Sequence, residues 1–221
     1  MEEEEDRQPS VSPPDTVFAP DWPEYNRPGR IVTLGHYYPK KRAEAARLVL
    51  KESRAAYTTS APIRPKAMRR NLGWTQLIQA LNQERQWPLK RLFELLNPML
   101  QPGIAISVVP THMAYQAFWP MRTLARQLAA EGRIDATSCL VRTTTIRRIT
   151  FGGPSTQSLH RQSIRLENAS LIEGKSVLLL DDIAKSGASL MACKEILYEA
   201  GAVLVQPMAL GRVIVEESEQ I

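Results

Sequence analysis

The chain has 221 residues, of which 43% are hydrophobic, and a formal net charge of +5. A chain of this size buries one large core, with room for a small appended subdomain but not for two large domains. No run of 18 or more apolar residues occurs, which argues against a membrane partner. Cys139 and Cys193 lack metal-ligand spacing, so we expect both to be reduced, structural residues of a cytoplasmic protein.

Residues 1–29 are predicted to form a disordered or extended tail, because they are rich in proline and contain almost no aliphatic run. They are acidic and give no signal-peptide pattern. Residues 1–30 hold eight acids and three bases, which leaves a net charge of +10 for residues 31–221. Such a basic excess fits a phosphate-bearing partner, either nucleic acid or a polyphosphorylated small molecule, although evenly spread surface bases explain the same count.

Residues 30–100 are predicted to form an N-terminal strand and helical subdomain. IVTLGHYY (31–38) is β-branched and aromatic, which is typical of a strand. KKRAEAARLVLKESRAAY (40–57) has helical spacing of its apolar residues. Two further helices are predicted at NLGWTQLIQALNQE (71–84) and PLKRLFELLNPML (88–100), the second beginning with a proline in its first turn.

Residues 101–215 are predicted to form the main domain, followed by a tail at 216–221. Strands alternate here with helices, which predicts an α/β fold with a mostly parallel sheet flanked by helices. Ligands of such sheets bind at the carboxyl ends of the strands. The predicted strands are GIAISVVP (103–110), ATSCLVR (136–142), VLLLDD (177–182) and AVLVQPMAL (202–210). The predicted helices are FWPMRTLARQLAAEGR (118–133) and GASLMACKEILYEAG (187–201).

The stretch VLLLDDIAKSGAS (177–189) predicts the ligand site. Its four apolar residues indicate a strand buried on both faces, with Asp181 and Asp182 at the exit. The following turn offers backbone N–H groups to a phosphate, and the next helix points its positive end there. A ribose 5-phosphate fits both halves, with its hydroxyls on the acids and its phosphate in the turn. The predicted phosphate-binding residues are Ala184, Lys185, Ser186, Gly187, Ala188 and Ser189.

The same residues have three other interpretations. In a P-loop NTPase the acids would bind metal, but GKS (174–176) precedes a strand and lacks the earlier glycine, since position 169 is alanine. In a response-regulator receiver a full alternating fold would follow the acids, whereas about 40 residues remain. The third interpretation is purely structural, with solvated acids that cap the next helix.

VLLLDDIAKSGAS resembles the signature that type I phosphoribosyltransferases use to bind 5-phosphoribosyl-1-pyrophosphate (PRPP). Within that family the chain is most similar to ComF-type, competence-associated proteins, over roughly residues 31–213. TLGHYYPKKRAEAARLVLKE (33–52) resembles their N-terminal strand and helix, and VVPTH (108–112) their pyrophosphate-loop strand. TQSLHRQSIRLEN (156–168) resembles the loop ahead of their signature strand.

The resemblance implies a type I phosphoribosyltransferase fold and transfer of a phosphoribosyl group to a nitrogen nucleophile, with Mg²⁺ as cofactor. It implies that Asp181 and Asp182 bind the ribose and act on the metal indirectly, through PRPP and Mg²⁺. The resemblance does not determine the acceptor base, nor whether the protein forms a homodimer. The pyrophosphate-loop candidates are Pro110, Thr111 and His112, and the mobile-loop candidates are Gln157, Arg161 and Arg165.

Two departures from the family pattern bear on activity. Lys185 stands where the family usually has threonine, which adds a cation to the phosphate site. MAYQAFWPMRTLARQ (113–127) lacks the arginines that ComF-like relatives carry after the pyrophosphate loop, which puts catalysis in doubt more than PRPP binding. Arginines of the long loop are candidates to replace the missing ones in binding pyrophosphate, or they lie on the solvated surface. They are Arg142, Arg147, Arg148, Arg161 and Arg165.

The alternative function is a non-catalytic, ComF-like accessory protein in DNA uptake or nucleotide sensing. Single-stranded DNA would then be a partner of the basic runs KKR (40–42) and KAMRR (66–70). The segment from Thr143 to Gly174 is predicted to be, at least in part, a mobile loop over the site, because it is long and polar and contains GGP (152–154) as a hinge.

Overall fold

Eight strands and five helices have both ends within the part of the chain that the structure describes. The structure is a computed structural model, and it describes residues 31–39, 43–44, 47, 65–146 and 156–213. The strands are β1 (Val32–Thr33), β2 (His36–Tyr37), β3 (Ala105–Val108), β4 (Ile134–Asp135), β5 (Leu140–Arg142), β6 (Ile164–Leu166), β7 (Ser176–Ala184) and β8 (Leu204–Val213). The helices are α1 (Pro65–Asn82), α2 (Gln86–Leu96), α3 (Pro120–Ala129), α4 (Gln157–Ser163) and α5 (Ala188–Glu199).

A parallel sheet of six strands forms the centre of the fold. Its order is β1–β8–β7–β3–β4, and β2 also pairs with β8. The central strand β7 pairs with β8 along its whole length, from Ser176 opposite Leu204 to Ala184 opposite Arg212. Strand β3 pairs with the other side of β7. Because these pairings are all parallel, the carboxyl ends of the strands lie along one edge of the sheet.

Alternate residues of β7 enter two separate cores, one on each face of the sheet. Leu178 and Leu180 belong to the first core and Val177 and Leu179 to the second, and all four are 0% exposed. Apolar residues of α1, α2 and α3 complete the first core. Residues of α5 and of the antiparallel β5–β6 pair complete the second. A strand covered on both faces is apolar at consecutive positions, which explains its sequence.

The predicted fold class is confirmed, because the sheet is mostly parallel and has helices on both faces. Two of the N-terminal helices are also confirmed, at slightly different bounds, as α1 and α2. Proline at position 98 falls in a short 3-10 turn, Asn97–Met99, that follows α2. The predicted helix 40–57 lies outside the described residues except at positions 43, 44 and 47, which are helical.

Two strand predictions differ from the structure in more than their bounds, and one strand was not predicted. The segment 31–38 forms two short pairings with β8 that are separated by a bend at Leu34 and Gly35. The segment 136–142 does not join the parallel sheet. The Asp135 carboxylate accepts hydrogen bonds from the backbone N–H and the hydroxyl of Thr137 and turns the chain there, so that only β5 is extended. The edge strand β4 was not predicted.

The N-terminal elements share their sheet and core with the rest of the described chain. Strands β1 and β2 pair with β8, and apolar residues of α1 and α2 lie in the same core as those of β3. The boundary near residue 100 between a helical subdomain and a main domain therefore stays a prediction. Among the described helices, none is both long and apolar enough to cross a bilayer.

The bend in the N-terminal segment depends on a close approach between Gly35 and Trp74. The Trp74 indole is held by a 2.5 Å hydrogen bond from its Nε1 to the carbonyl oxygen of Leu210. A Cβ added at Gly35 would lie 2.7 Å from the ring, so Gly35→Ala should lower the free energy of unfolding by about 1–3 kcal/mol. The measurement is urea denaturation.

Gly73→Ala is the matched control for this substitution. Gly73 lies in the interior of α1, is exposed, and has no atom within 4 Å of an added Cβ. Alanine should raise the free energy of unfolding there by up to about 1 kcal/mol, because it is the better helix former. Equal effects of the two substitutions would contradict the proposed contact between Gly35 and Trp74.

Candidate functional site

The acid pair lies inside β7 rather than at its end. Asp181 is opposite Ala209 of β8, and the pairing continues to Ala184. The predicted end of the strand, at Asp182, is thus two residues too early. The continued pairing fixes the backbone of both acids between neighbouring strands, so the carboxylates are held on a rigid element near the carboxyl edge of the sheet.

Asp181 is a half-buried carboxylate next to another carboxylate. Its Oδ1 accepts the backbone N–H of Asp182 at 2.9 Å, and its Oδ2 accepts the hydroxyl of Ser189 at 3.3 Å. Burial, and then the charge of Asp182, raise the pKa of Asp181 well above its ordinary value. The group is therefore destabilised as an anion and favours a partner that donates hydrogen bonds to it.

Asp182 is oriented by two hydrogen bonds. Its Oδ1 accepts the backbone N–H of Ile183 at 2.7 Å, and its Oδ2 accepts Nδ2 of Asn82 at 2.8 Å. Asn82 is the last residue of α1, and a hundred positions separate it from Asp182 in the sequence. The sequence analysis did not identify Asn82, because no local pattern connects the end of a helix to a distant strand.

The turn that follows β7 leads through a glycine directly into α5. Gly187 has φ of +80° and directly precedes α5 as its N-cap residue. A Cβ at this position would lie 2.3 Å from Cδ1 of Ile31, so both conformation and space require glycine. The hydroxyl of Ser186 accepts the backbone N–H of Ala188 at 3.3 Å, and Lys185 is exposed. Whether these residues bind phosphate stays a prediction.

The pyrophosphate-loop candidates begin next to the acid pair. Val108 of β3 is opposite Leu180, and the N–H of Val109 donates to the carbonyl oxygen of Leu180 at 2.9 Å. Pro110, Thr111 and His112 follow directly at the same edge of the sheet as the acids. The register of two parallel strands therefore brings together two segments that are 70 residues apart in the sequence.

A buried arginine lies against this loop. Arg142, at the end of β5, is 2% exposed and donates to the carbonyl oxygens of Thr111 and Pro110. It also donates to the hydroxyl of Ser163 at 2.5 Å and contacts Nδ1 of His160 at 3.4 Å. Burial lowers the pKa of Arg142. Its donors are directed at the loop backbone and not at solvent, so it is not the exposed phosphate ligand that the sequence analysis considered.

The three mobile-loop candidates lie in regular elements. Gln157 and Arg161 are in α4 and donate to Glu195 and Glu199 at 2.6 Å each, in the second half of α5. At 1.5 Å per residue, Glu199 lies roughly 18 Å along the helix from Gly187 in the turn at its start. Arg165 is in β6 and pairs with Glu167. Residues 157–166 therefore form regular elements and not the mobile loop predicted for part of 143–174. Residues 147–155, which include Arg147 and Arg148, lie outside the described residues.

The acids do not form a metal-binding cluster by themselves. Within the described ranges, no three side chains of the His, Cys, Asp or Glu type are grouped so as to hold a metal ion. Mg²⁺ is commonly held by one or two carboxylates together with phosphate oxygens of a substrate. Asp181 and Asp182 fit that arrangement, in which the ligand supplies the remaining oxygens.

One of the two basic runs predicted to bind DNA, at residues 66–70, lies at the start of α1. Residues 40–42 lie outside the described part, and of residues 66–70 only the side chain of Arg70 is described, as exposed. A contact with single-stranded DNA therefore stays a prediction.

Comparison with known families identifies the segment that holds most of this site. Residues 113–210 match the family described as "Phosphoribosyl transferase domain". The matched range contains the acid pair and the turn after it, and covers slightly less than half of the chain. It confirms the predicted resemblance at the level of a phosphoribosyl transferase domain, whereas the ComF-type assignment stays a prediction.

Solved structures that are similar to parts of this chain include the following three proteins. An allosteric regulatory enzyme of purine biosynthesis is 21% identical over 63% of this chain and 26% of that protein, with a TM-score of 0.32. Adenine phosphoribosyl transferase from Trypanosoma brucei is 12% identical over 62% of this chain and 70% of its own, with a TM-score of 0.38. Purine phosphoribosyltransferase from Pyrococcus horikoshii Ot3 is 15% identical over 59% and 88%, with a TM-score of 0.34. No curated protein matches the chain.

Asp181 should destabilise the protein in the absence of a ligand. The pKa of Asp181 is higher in the folded state than in the unfolded state, where it is near 3.8. Between these two pKa values the folded state binds more protons than the unfolded state. The free energy of unfolding therefore falls as the pH rises from the lower value to the higher one. Asp181→Asn should therefore raise the free energy of unfolding at pH 7 by on the order of 1 kcal/mol. Chemical denaturation at pH 4 and pH 7 measures this, and the gain should be smaller at pH 4. A loss of stability at pH 7 would contradict the assignment.

Proposed function

We propose that this protein binds PRPP, or a related ribose 5-phosphate ligand, and transfers the phosphoribosyl group to a nitrogen nucleophile. In that reaction the bond between C1 of the ribose and the pyrophosphate oxygen breaks, and a bond between C1 and nitrogen forms. The nitrogen loses its proton, and pyrophosphate leaves. The phosphoribosyl transferase domain match over residues 113–210 supports this class of reaction.

The single observation that carries the proposal is the position of the acid pair beside the turn. Asp181 and Asp182 share a strand with Ala184, and the left-handed Gly187 then starts α5. Carboxylates that accept hydroxyl groups and a helix start that favours an anion are thus fixed a few residues apart. A ribose 5-phosphate fits both features, because one molecule carries vicinal hydroxyls for the carboxylates and a phosphate for the helix start.

Electrostatics supports a ligand with several hydroxyls. Asp181 is already destabilised by burial and by Asp182, and hydroxyl donors would relieve this by supplying charge-assisted hydrogen bonds. Mg²⁺ bound with PRPP, on which these carboxylates would act indirectly, would offset the charge of the leaving group. The protein's own residues would bind and orient the ribose while C1 is attacked.

The acceptor and the level of catalysis remain separate proposals. The ComF-like alternative is a protein that binds the same ligand without transferring it, as a nucleotide sensor or in DNA uptake. Pyrophosphate release in a screen of hypoxanthine, uracil, orotate and simple amines separates the two. Binding of PRPP without release with any acceptor would favour the non-catalytic alternative. A cytoplasmic location and a homodimer also stay predictions.

The acid pair is tested by Asp181→Asn combined with Asp182→Asn. The double variant should bind PRPP with Mg²⁺ more weakly by about 2–4 kcal/mol, because each carboxylate loses a charge-assisted hydrogen bond. Isothermal titration calorimetry measures this. Asp135→Asn is the matched control, since Asp135 is also a carboxylate in a strand of the sheet but pairs with Arg126 at 3.2 Å. Unchanged affinity in a folded double variant would support the purely structural interpretation of the acids.

Asn82 should contribute to the same site from outside the matched segment. Asn82→Ala removes the donor to Asp182 Oδ2 and should weaken PRPP binding by about 0.5–1.5 kcal/mol. Asn82→Asp should weaken it further, because a third negative charge would then face the acid pair. Gln83→Ala, at the exposed neighbouring position, is the control. If all three variants bind alike, Asn82 does not orient the site.

A further inference from the structure

Arg142 is a buried cation without an ion-pair partner in the described part of the chain. It is 2% exposed, and its donors reach backbone and neutral groups. Taking a guanidinium out of water costs several kcal/mol unless hydrogen bonds compensate. A neutral side chain would fill the same volume without that cost, so the charge at this position calls for an explanation beyond packing.

Two of the hydrogen bonds from Arg142 fix consecutive peptide units of one loop. Nε donates to the carbonyl oxygen of Thr111, and Nη2 lies 3.4 Å from that of Pro110. No peptide bond in the described residues is cis. In a trans unit the C=O and the N–H point in opposite directions, so the N–H groups of Thr111 and His112 are directed away from Arg142.

The charge of Arg142 also strengthens these peptide units as donors. A cation at the carbonyl oxygen polarises the amide, and a chain of hydrogen bonds in a low-dielectric interior is strengthened cooperatively. The effect is largest where both groups are excluded from water, as Arg142 is. The loop backbone is therefore both oriented and polarised from its buried side.

The other end of the guanidinium is anchored on α4. The Ser163 hydroxyl accepts from Nη1 at 2.5 Å and itself donates to the carbonyl oxygen of Leu159 at 2.8 Å. Nδ1 of His160 lies 3.4 Å from Nη2. Burial, and then the charge of Arg142, lower the pKa of His160 to about 4, so the ring is neutral and accepts at Nδ1. The contacts hold the guanidinium between the loop and the helix.

The same region is tied to the loop by further backbone bonds. The N–H of Tyr115 donates to the carbonyl oxygen of Arg142, and the N–H of Ile146 to that of His112, at 2.9 Å each. The segment from Pro110 to Tyr115 is therefore held by β5 and the residues after it. Its shape depends on where Arg142 lies, and not only on its own sequence.

We infer that Arg142 is a positioning residue that sets the affinity of the Pro110–His112 loop for the pyrophosphate group, without touching the ligand. The inference rests on the proposed function, since it concerns the pyrophosphate part of PRPP. Ribose 5-phosphate lacks that group and contacts the acid pair and the turn instead. Loss of the Arg142 contacts should therefore affect PRPP and leave ribose 5-phosphate binding in place.

The test compares two ligands on matched arginine variants. Arg142→Lys keeps the charge but cannot donate to two carbonyls in a fixed fork. It should bind PRPP with Mg²⁺ about tenfold more weakly, while its affinity for ribose 5-phosphate changes less than about twofold. Arg133→Lys is the control, because Arg133 also donates to backbone carbonyls, those of Gln101, Leu128, Asn97 and Leu100, at the start of the sheet. It should leave the ratio of the two affinities unchanged.

A second variant keeps the test valid if Arg142→Lys does not fold. Ser163→Ala removes one anchor of Arg142 and should weaken PRPP binding about threefold, again without an effect on ribose 5-phosphate. An equal loss for both ligands, or no loss for either in a folded variant, would overturn the positioning role. If the unmodified protein binds neither ligand, the proposed function itself fails, so the two failures are distinguishable.

Discussion

The burial of β7 on both faces is the constraint on which the rest of the structure depends. Four consecutive apolar side chains from Val177 to Leu180 are 0% exposed and divide between two cores. Burying each one contributes about 1.5–3 kcal/mol, so the strand cannot shift by one residue without moving its side chains into the wrong cores. Asp181 and Asp182 follow these four residues within the same strand, so the packing of the two cores sets their position.

The position of the acid pair has an electrostatic consequence. Two adjacent carboxylates, one of them half-buried, raise the free energy of the ligand-free state, as the raised pKa of Asp181 indicates. The surrounding structure tolerates this because β3 and β8 hold the strand on both sides. A site that is unfavourable when empty gains more when a ligand supplies hydrogen-bond donors or a cation, so stability and binding are expected to oppose each other here.

The site draws on parts of the chain that lie far apart in the sequence. Asn82 reaches Asp182 from the end of α1, outside the segment that matches the phosphoribosyl transferase domain. Arg142 holds the loop that follows β3 and is itself anchored on Ser163. These contacts connect the N-terminal helices and α4 to the candidate ligand site, and each has a variant that separates its effect on binding from its effect on folding.

The sequence by itself determined the fold class, the central strand, the acid pair and the glycine turn, because each depends on neighbouring residues: a continuous apolar run, two acids, and a glycine before a helix. It did not determine that β7 continues past the acids, that 136–142 leaves the parallel sheet, or that Arg142 faces the loop backbone. Those features depend on pairing and burial between residues 22 to 31 positions apart. Only the tertiary structure decided them, since a local pattern records which residues prefer to be buried but not which distant backbone group they meet.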